Sequence, residues 1–192
     1  MAMQIINTGY LSTNYYILCN PGVMLLIDAG WPGTFQQFKH VLQKKDIRAE
    51  EINYLLITHY HPDHAGLVQE IKDIGTKLIV IEEQLPAIPL FKNYIKPGVH
   101  YKPINPDDNI VLSTAGSRGF LKKLGFDGEI IHTPGHSDDS VTLVLDSGEA
   151  FTGDLPPENF SDNPFLSESW KKLKALGASK IYPGHGGITT VA

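Results

Sequence analysis

The sequence is poor in cysteine and lacks long apolar runs, and each shortage excludes a class of protein. Its 192 residues contain a single cysteine, Cys19, so no disulfide can form within the chain, and nothing indicates an oxidising compartment. No stretch is long and apolar enough for a membrane span, and residues 1–7 lack the basic and apolar regions of a secretion signal. We therefore expect a cytoplasmic protein that does not act at a membrane.

The sequence also has fewer basic than acidic residues. The formal net charge is −5, whereas proteins that bind nucleic acid usually carry a basic face that displaces counterions from phosphates. We therefore expect a small-molecule substrate and no nucleic-acid partner.

The hydrophobic content of 42% and the length suit one globular domain that covers residues 1–192. Short apolar runs alternate with segments of helical periodicity, a pattern that predicts a mixed α/β fold. The predicted helices lie near residues 35–42, 65–75, 117–124 and 167–176. The predicted strands lie at residues 3–7, 14–19, 23–27, 54–58, 77–81, 109–112, 128–131, 141–145, 150–152 and 180–182.

One long segment, residues 84–109, breaks this pattern with five prolines. Loops of this length within a domain are usually functional or disordered. Phe91, Tyr94 and Tyr101 give the segment an exposed-looking aromatic content, which fits a wall of a binding cleft. A partly helical insertion that covers the edge of the core fits the same residues, so both interpretations stay open.

The main chemical signal is the cluster His59–His64, which follows an apolar strand and precedes a helix. It places four potential metal ligands within six positions. In extended backbone His59 and His61 project to the same side, and a proline then turns the chain so that Asp63 and His64 point elsewhere. Such a cluster without a metal would leave polar groups that cost about 1 to 3 kcal/mol each if buried and unpaired. The cluster therefore predicts a metal site, and imidazole with carboxylate suits zinc.

Three later segments repeat one arrangement, in which a short apolar strand ends in a glycine-containing turn that carries a ligand type. Loops at strand ends can converge on one cleft from distant parts of a chain. The three candidate ligands are His136, Asp154 and His185. A lone histidine is more often an ordinary core or surface residue, and we assign His40, His100 and His132 to that class.

The His59–His64 string resembles the HxHxDH signature of the metallo-β-lactamase superfamily, and the later segments resemble its remaining ligand motifs in order. The resemblance runs from the turn at Asp28 to residues 183–185. It implies a four-layer αββα sandwich with two metals along one edge. In that arrangement His59, His61 and His136 would hold the first metal, Asp63, His64 and His185 the second, and Asp154 would bridge them, while Asp28 would orient a ligand.

The same resemblance implies a hydrolase in which a hydroxide that bridges two divalent metals, zinc foremost with iron or manganese as alternatives, cleaves an ester, thioester or lactone bond. Asp63 is the candidate proton carrier, although a pure ligand role is the simpler interpretation. Other members of the superfamily stay open as alternatives: a mononuclear iron enzyme similar to persulfide dioxygenases, a phosphodiesterase, and a metal-binding domain without activity.

Departures from known branches narrow the choice. An aspartate, Asp154, stands where some zinc β-lactamases have cysteine, and His61 stands where flavodiiron proteins have glutamate. The few residues after His185 do not match the C-terminal region of glyoxalase II, so we do not expect that activity in its standard form, and we expect no arm like that of the nucleases that process transfer RNA. The residues after Asp154 lack the tyrosine of many acyl-homoserine lactonases.

We expect residues 84–109 and 155–167 to form walls of the binding cleft. Three lysines could meet an anionic substrate, although a solvated basic face is the simpler interpretation: Lys92, Lys96 and Lys102.

Overall fold

The computed structural model describes residues 3–160 and 162–191. Two β-sheets lie face to face. The first has six strands that are hydrogen-bonded in sequence order. They are β1 (Gln4–Asn7), β2 (Tyr16–Asn20), β3 (Val23–Ile27), β4 (Tyr54–Leu56), β5 (Lys77–Ile81) and β6 (Ile110–Leu112). The strands β1 to β3 are antiparallel, and β3 to β6 are parallel to one another.

The second sheet has five strands in the spatial order β11, β10, β9, β8, β7. They are β7 (Gly128–His132), β8 (Val141–Leu145), β9 (Glu149–Gly153), β10 (Lys180–Pro183) and β11 (Thr189–Thr190). The β9–β10 pair is parallel, and the other pairs are antiparallel.

Five α-helices lie within the described residues: α1 (Phe35–Gln43), α2 (Pro62–Ala65), α3 (Val68–Asp73), α4 (Thr114–Lys123) and α5 (Pro164–Ala175). Phe38 of α1 and Ile71 of α3 are buried against the outer face of the first sheet. Trp170 and Leu173 of α5 are buried against the outer face of the second. The layers are therefore helix, sheet, sheet and helix, and the predicted αββα sandwich is confirmed.

The central strands are apolar on both faces because each face meets a different core. In β3, Leu25 and Ile27 point into the core between the sheets, while Leu26 points into the core beneath α1 and α3. Successive side chains of a strand point to opposite faces, so a strand covered on both sides is apolar throughout. This is the physical reason that these runs are recognisable in the sequence.

The predicted helix at residues 65–75 is wrong in detail. The chain forms α2 and α3, with a break at Gly66 and Leu67. The backbone N–H of Gly66 donates to the carbonyl of Gly30 at 2.8 Å, and that of Leu67 donates to the carbonyl of Ala29 at 2.9 Å. These two donors are therefore used to attach the helices to the turn after β3.

Other boundaries also differ. Strand β4 ends at Leu56 rather than at residue 58, α4 begins at Thr114, and α5 begins at Pro164 after the N-cap Asn163. The short strand β11 has no counterpart among the predicted strands.

The segment 84–109 covers the edge of the core beneath α1 and α3, which we call the first core. It contains a 3₁₀ helix, Ile88–Tyr94, and Phe91 is fully buried there although the sequence suggested exposure. Tyr101 packs on Phe91 with the ring centroids 5.2 Å apart. Tyr94 is exposed, and its ring lies 5.4 Å from that of His61. The segment therefore covers the core and also reaches the predicted site.

The strands that precede the candidate ligands all end at one edge of the sandwich. Strands β3 and β4 are parallel neighbours that lead into Asp28 and the His59–His64 cluster. Strands β9 and β10 are parallel neighbours that lead into Asp154 and His185, and β7 runs in the same direction as β9. None of the described helices is long and apolar enough to cross a membrane.

Candidate metal centre

The innermost part of the site is built around Asp28, which has a left-handed backbone with φ of 62°. Aspartate tolerates this conformation better than most residues do. The buried carboxylate accepts hydrogen bonds from the backbone N–H of Thr58 at 2.7 Å and from its hydroxyl at 2.9 Å. Its Oδ2 also lies 2.8 Å from Nδ1 of His64. This contact favours a proton on Nδ1 and leaves Nε2 of His64 free to face the site.

Three histidines form a first group: His59, His61 and His136. One side-chain nitrogen from each lies within 4.8 Å of the other two. The ring of His59 is buried, and its Nδ1 lies 3.2 Å from the hydroxyl of Thr58. The ring of His136 reaches the cluster from the turn after β7, where its Nε2 lies 3.0 Å from Nδ1 of His61. Three imidazoles that face one point are a ligand set that suits zinc.

A second group consists of two carboxylates and two imidazoles, which also lie within 4.8 Å of one another: Asp63, His64, Asp154 and His185. Oδ2 of Asp63 is 3.0 Å from Nε2 of His185, and Oδ2 of Asp154 is 3.4 Å from the same nitrogen. Oδ2 of Asp154 also lies 3.9 Å from Nε2 of His59. Asp154 therefore lies within 4 Å of a nitrogen atom of each group.

The loop between β1 and β2 holds two side chains of the second group. Leu11 and Ser12 have left-handed φ values of 52° and 67°, and the carbonyl of Ser12 lies 2.7 Å from Nδ1 of His185. The hydroxyl of Thr13 donates to Oδ2 of Asp63 at 3.3 Å. These contacts direct Nε2 of His185 and the carboxylate of Asp63 towards the centre of the group.

Several buried polar atoms at the centre have no hydrogen-bond partner among the described residues. They are Nε2 of His59, Nε2 of His64 and Oδ1 of Asp154. The last two are 3.2 Å apart but lack the geometry of a hydrogen bond. Leaving such groups buried and unpaired costs about 1 to 3 kcal/mol each. Because the free atoms are the types that bind divalent metals, a cation between them would satisfy them, and the residues fit a metal centre.

The pKa values of two histidines also fit a metal centre. Burial, followed by the neighbouring imidazoles, lowers the pKa of His59 well below its usual value, so this ring is neutral and can offer Nε2 as a ligand. Burial would also lower the pKa of His64, but the carboxylates of Asp28, Asp154 and Asp63 raise it to about 12. The cluster therefore stabilises positive charge beside Nε2 of His64.

Two glycines let the backbone approach this crowded centre. A Cβ at Gly184 would overlap Oδ1 of Asp154 and would lie 2.6 Å from Cε1 of His64. Gly153 has φ of 55°, and a Cβ there would overlap the hydroxyl of Thr58. A side chain at either position would displace a candidate ligand or the residue that supports it.

The structure brings all seven predicted ligands together. His40, His100 and His132 lie outside both groups, as expected. His132 lies with Nε2 2.6 Å from the carbonyl of Asp138, whereas His40 and His100 are exposed. Lys102 pairs with Asp73 at 2.6 Å on the surface. Lys92 and Lys96 are exposed, and neither lines a cavity that reaches the candidate ligands.

Sequence reasoning missed the supporting residues Ser12, Thr13 and Asp139. Asp139 lies in the loop between β7 and β8 and accepts a hydrogen bond from the backbone N–H of Tyr60 at 2.7 Å. This bond attaches the His59–His64 cluster to the second sheet. The only signal for Asp139 was its position three residues after His136. A polar loop such as residues 8–14 carries no comparable signal.

Two cavities reach the candidate ligands. The larger, of about 730 Å³, is lined by His136, Asp154 and His185 and continues between β10 and α5. The smaller, of about 280 Å³, begins at His61 and lies under Tyr94. The predicted cleft walls at residues 84–109 and 155–167 each contribute, through Tyr94 and through residues 155–158.

Comparisons with known proteins agree with this geometry. The family model described as Metallo-beta-lactamase superfamily matches residues 8–185. The Beta-lactamase-like protein 2 homolog of Drosophila melanogaster is 31% identical over 180 residues, which cover 92% of this chain and 59% of that protein. A probable metallo-hydrolase of Methanocaldococcus jannaschii is 28% identical over 213 residues and is covered to 94%.

The Atrochrysone carboxyl ACP thioesterase of Aspergillus fumigatus is 27% identical over 183 residues, which cover 38% of that protein. The chain spans little more than half the length of the first two curated relatives, 59% and 56% of their respective lengths. Among solved structures, TTHA1623 in a di-iron-bound form superposes with a TM-score of 0.72 at 24% identity, with 97% of this chain and 94% of that chain covered. This likeness shows the fold.

Proposed function

The chain belongs to the metallo-β-lactamase superfamily, and on that premise we propose that it is a dinuclear metal-dependent hydrolase that cleaves an ester, thioester or lactone bond of a small molecule. The observation that carries the proposal is the convergence of two ligand groups on buried nitrogen and oxygen atoms that lack a partner among the described residues. A thioester is included because one relative is named as a thioesterase.

We assign the first metal to His59, His61 and His136 and the second to Asp63, His64 and His185, with Asp154 shared between them. Two divalent cations bound there, zinc foremost, would lower the pKa of a water molecule towards 7 and polarise the bond to be cleaved.

The protein's own groups orient this chemistry. Asp28 fixes His64, and the carbonyl of Ser12 fixes His185, so that each ring presents Nε2 to the centre. Such supporting contacts raise ligand basicity and typically affect metal affinity 10–100-fold.

Asp63 is a ligand in this proposal and also the candidate group for moving a proton. The attacking water adds to the acyl carbon, the bond to the leaving oxygen or sulfur breaks, and the proton released by the water ends on the leaving atom. The Asp63 carboxylate lies 3.0 Å from Nε2 of His185, which is the more exposed member of the pair, and there it can carry that proton.

The test combines metal analysis with turnover. The purified protein is expected to contain two equivalents of divalent metal per chain and to hydrolyse at least one compound in a panel of esters, thioesters and lactones. His61→Ala should lose both properties, whereas His40→Ala should retain them, because His40 is exposed on α1, outside the site. Activity that survives in His61→Ala would come from a contaminant. A metal-loaded protein that cleaves none of these bonds would contradict the proposed function.

A further inference from the structure

The larger cavity has features of a substrate site that the metal ligands alone do not provide. It opens beside Asp154 and His185 and runs away from them along α5 and β11. From its walls we infer that this cavity, which we call the acyl cleft, binds an apolar acyl chain of the substrate. The inference rests on the proposed function.

The inner wall of the acyl cleft is apolar. Leu155, Trp170 and Ile181 are nearly buried in the core between α5 and the second sheet, with 8%, 7% and 5% of their surface exposed, and all three line the cleft. The indole N–H of Trp170 donates to the carbonyl of Pro156 at 2.8 Å. This bond ties the loop after β9 to α5, so the cleft is formed before a ligand enters. A preformed apolar cleft lowers the entropic cost of binding a chain.

The charges in the acyl cleft do not favour an ionic ligand. Apart from the candidate metal ligands, its charged lining residues among those described are Glu158 and Lys174, and they pair with each other at 2.7 Å. A carboxylate or phosphate in the cleft would therefore meet no unpaired cation. An uncharged chain requires none.

The other cavity explains why the apolar chain is the acyl half rather than the leaving half. The two cavities share no lining residue, and the smaller one meets the site at His61. Its lining combines the carboxyl-bearing residues Glu83, Asp138 and Asp139 with apolar side chains of the 84–109 segment, among them Pro86 and Leu90. A polar, uncharged or cationic leaving group suits this cavity, while an apolar chain suits the acyl cleft.

Two matched series of thioesters test the inference on the metal-loaded protein. In the first, the acyl chain of N-acetylcysteamine thioesters is lengthened from acetyl to decanoyl. In the second, the S-alkyl group of alkyl thioacetates is lengthened over the same range. We expect kcat/KM to rise about fourfold per added methylene in the first series until the cleft is full, and to stay flat in the second.

A variant that fills the cleft gives an independent readout. Thr190 is exposed and lines the cleft, so Thr190→Trp should shift the acyl-length optimum to shorter chains. Val111→Trp adds the same bulk to the exposed edge of the first sheet and should leave the optimum unchanged.

Binding can also be followed without turnover. The chain has two tryptophans, so Trp31→Phe leaves Trp170 as the only tryptophan, which can be excited at wavelengths that tyrosine does not absorb. Octanamide, an uncharged probe, is expected to change the emission of Trp170 at concentrations at which acetamide does not.

The possible results separate the two proposals. If acetyl thioesters are hydrolysed but neither series depends on length, the acyl cleft is wrong and the hydrolase stands. A rise in the alkyl series alone would overturn the assignment of the cleft to the acyl half. If no ester, thioester or lactone is hydrolysed, the hydrolase proposal fails, and the acyl cleft fails with it.

Discussion

Replacing Asp28 with asparagine would test whether this buried carboxylate prepares His64 to bind metal. Asparagine has the same shape and also tolerates the left-handed φ of 62°, so Asp28→Asn removes a charge with little backbone strain. In the native protein the carboxylate accepts from the N–H and hydroxyl of Thr58 at 2.7 and 2.9 Å and contacts Nδ1 of His64 at 2.8 Å.

The expected magnitude follows from these three contacts. If the asparagine oxygen keeps the bond from the Thr58 backbone, its amide N–H₂ faces Nδ1 of His64. Two donors then oppose each other unless the proton of His64 moves to Nε2, where it would block a metal. Supporting contacts of this kind change metal affinity 10–100-fold, which corresponds to about 1.4 to 2.8 kcal/mol. We expect a loss of this size at the second group and a smaller loss at the first.

Calorimetric titration of the metal-free protein with zinc, in competition with a chelating dye, measures both steps. Asp108→Asn is a matched control because Asp108 also has a left-handed backbone, with φ of 61°, but is exposed and belongs to neither ligand group. If Asp28→Asn binds two zinc equivalents with native affinity, Asp28 does not orient His64 for metal binding and the reasoning is refuted.

Two further substitutions probe how closely the backbone and the β1–β2 loop support the centre. Gly184→Ala should abolish binding of the second metal because the added Cβ would overlap Oδ1 of Asp154. In Gly187→Ala the added Cβ meets no atom within 4 Å, so this control variant should bind both metals normally. Equal zinc content in the two variants, measured by elemental analysis, would contradict this expectation. Thr13→Val should weaken the second metal about 10-fold by removing the bond to Asp63, and Thr13→Ser should restore it. If the two Thr13 variants have the same zinc affinity in titration, the hydroxyl has no such role.

The candidate metal ligands were the most predictable part of the molecule, because several of them are close together in the sequence. The ligands from His59 to His64 are close in space since they are close in the chain. The turns that carry His136, Asp154 and His185 follow apolar strands, and strand ends are visible in sequence as glycine-containing breaks in apolar runs. Their convergence was inferred from a resemblance, and the structure shows that they lie close together.

The errors have a common cause, which is that the decisive contacts join distant segments. Phe91 lies among prolines and looks exposed in sequence, yet it is fully buried because the 3₁₀ helix packs on the first core. The helix after the cluster breaks at Gly66 because its N–H groups bond to the turn after β3, about 36 residues earlier in the chain. Local propensity contains no information on either partner.

By itself, the sequence determined which segments are strands covered on both faces and which residue types stand at their ends, because burial on two sides and metal chemistry both restrict composition locally. Only the tertiary structure decided which atoms support those ends, that Ser12 meets His185 across 173 positions, and that an apolar cleft opens beside Asp154. Hydrogen bonds and cavities of this kind depend on the relative placement of two sheets and the loops between them, which no short stretch of sequence specifies.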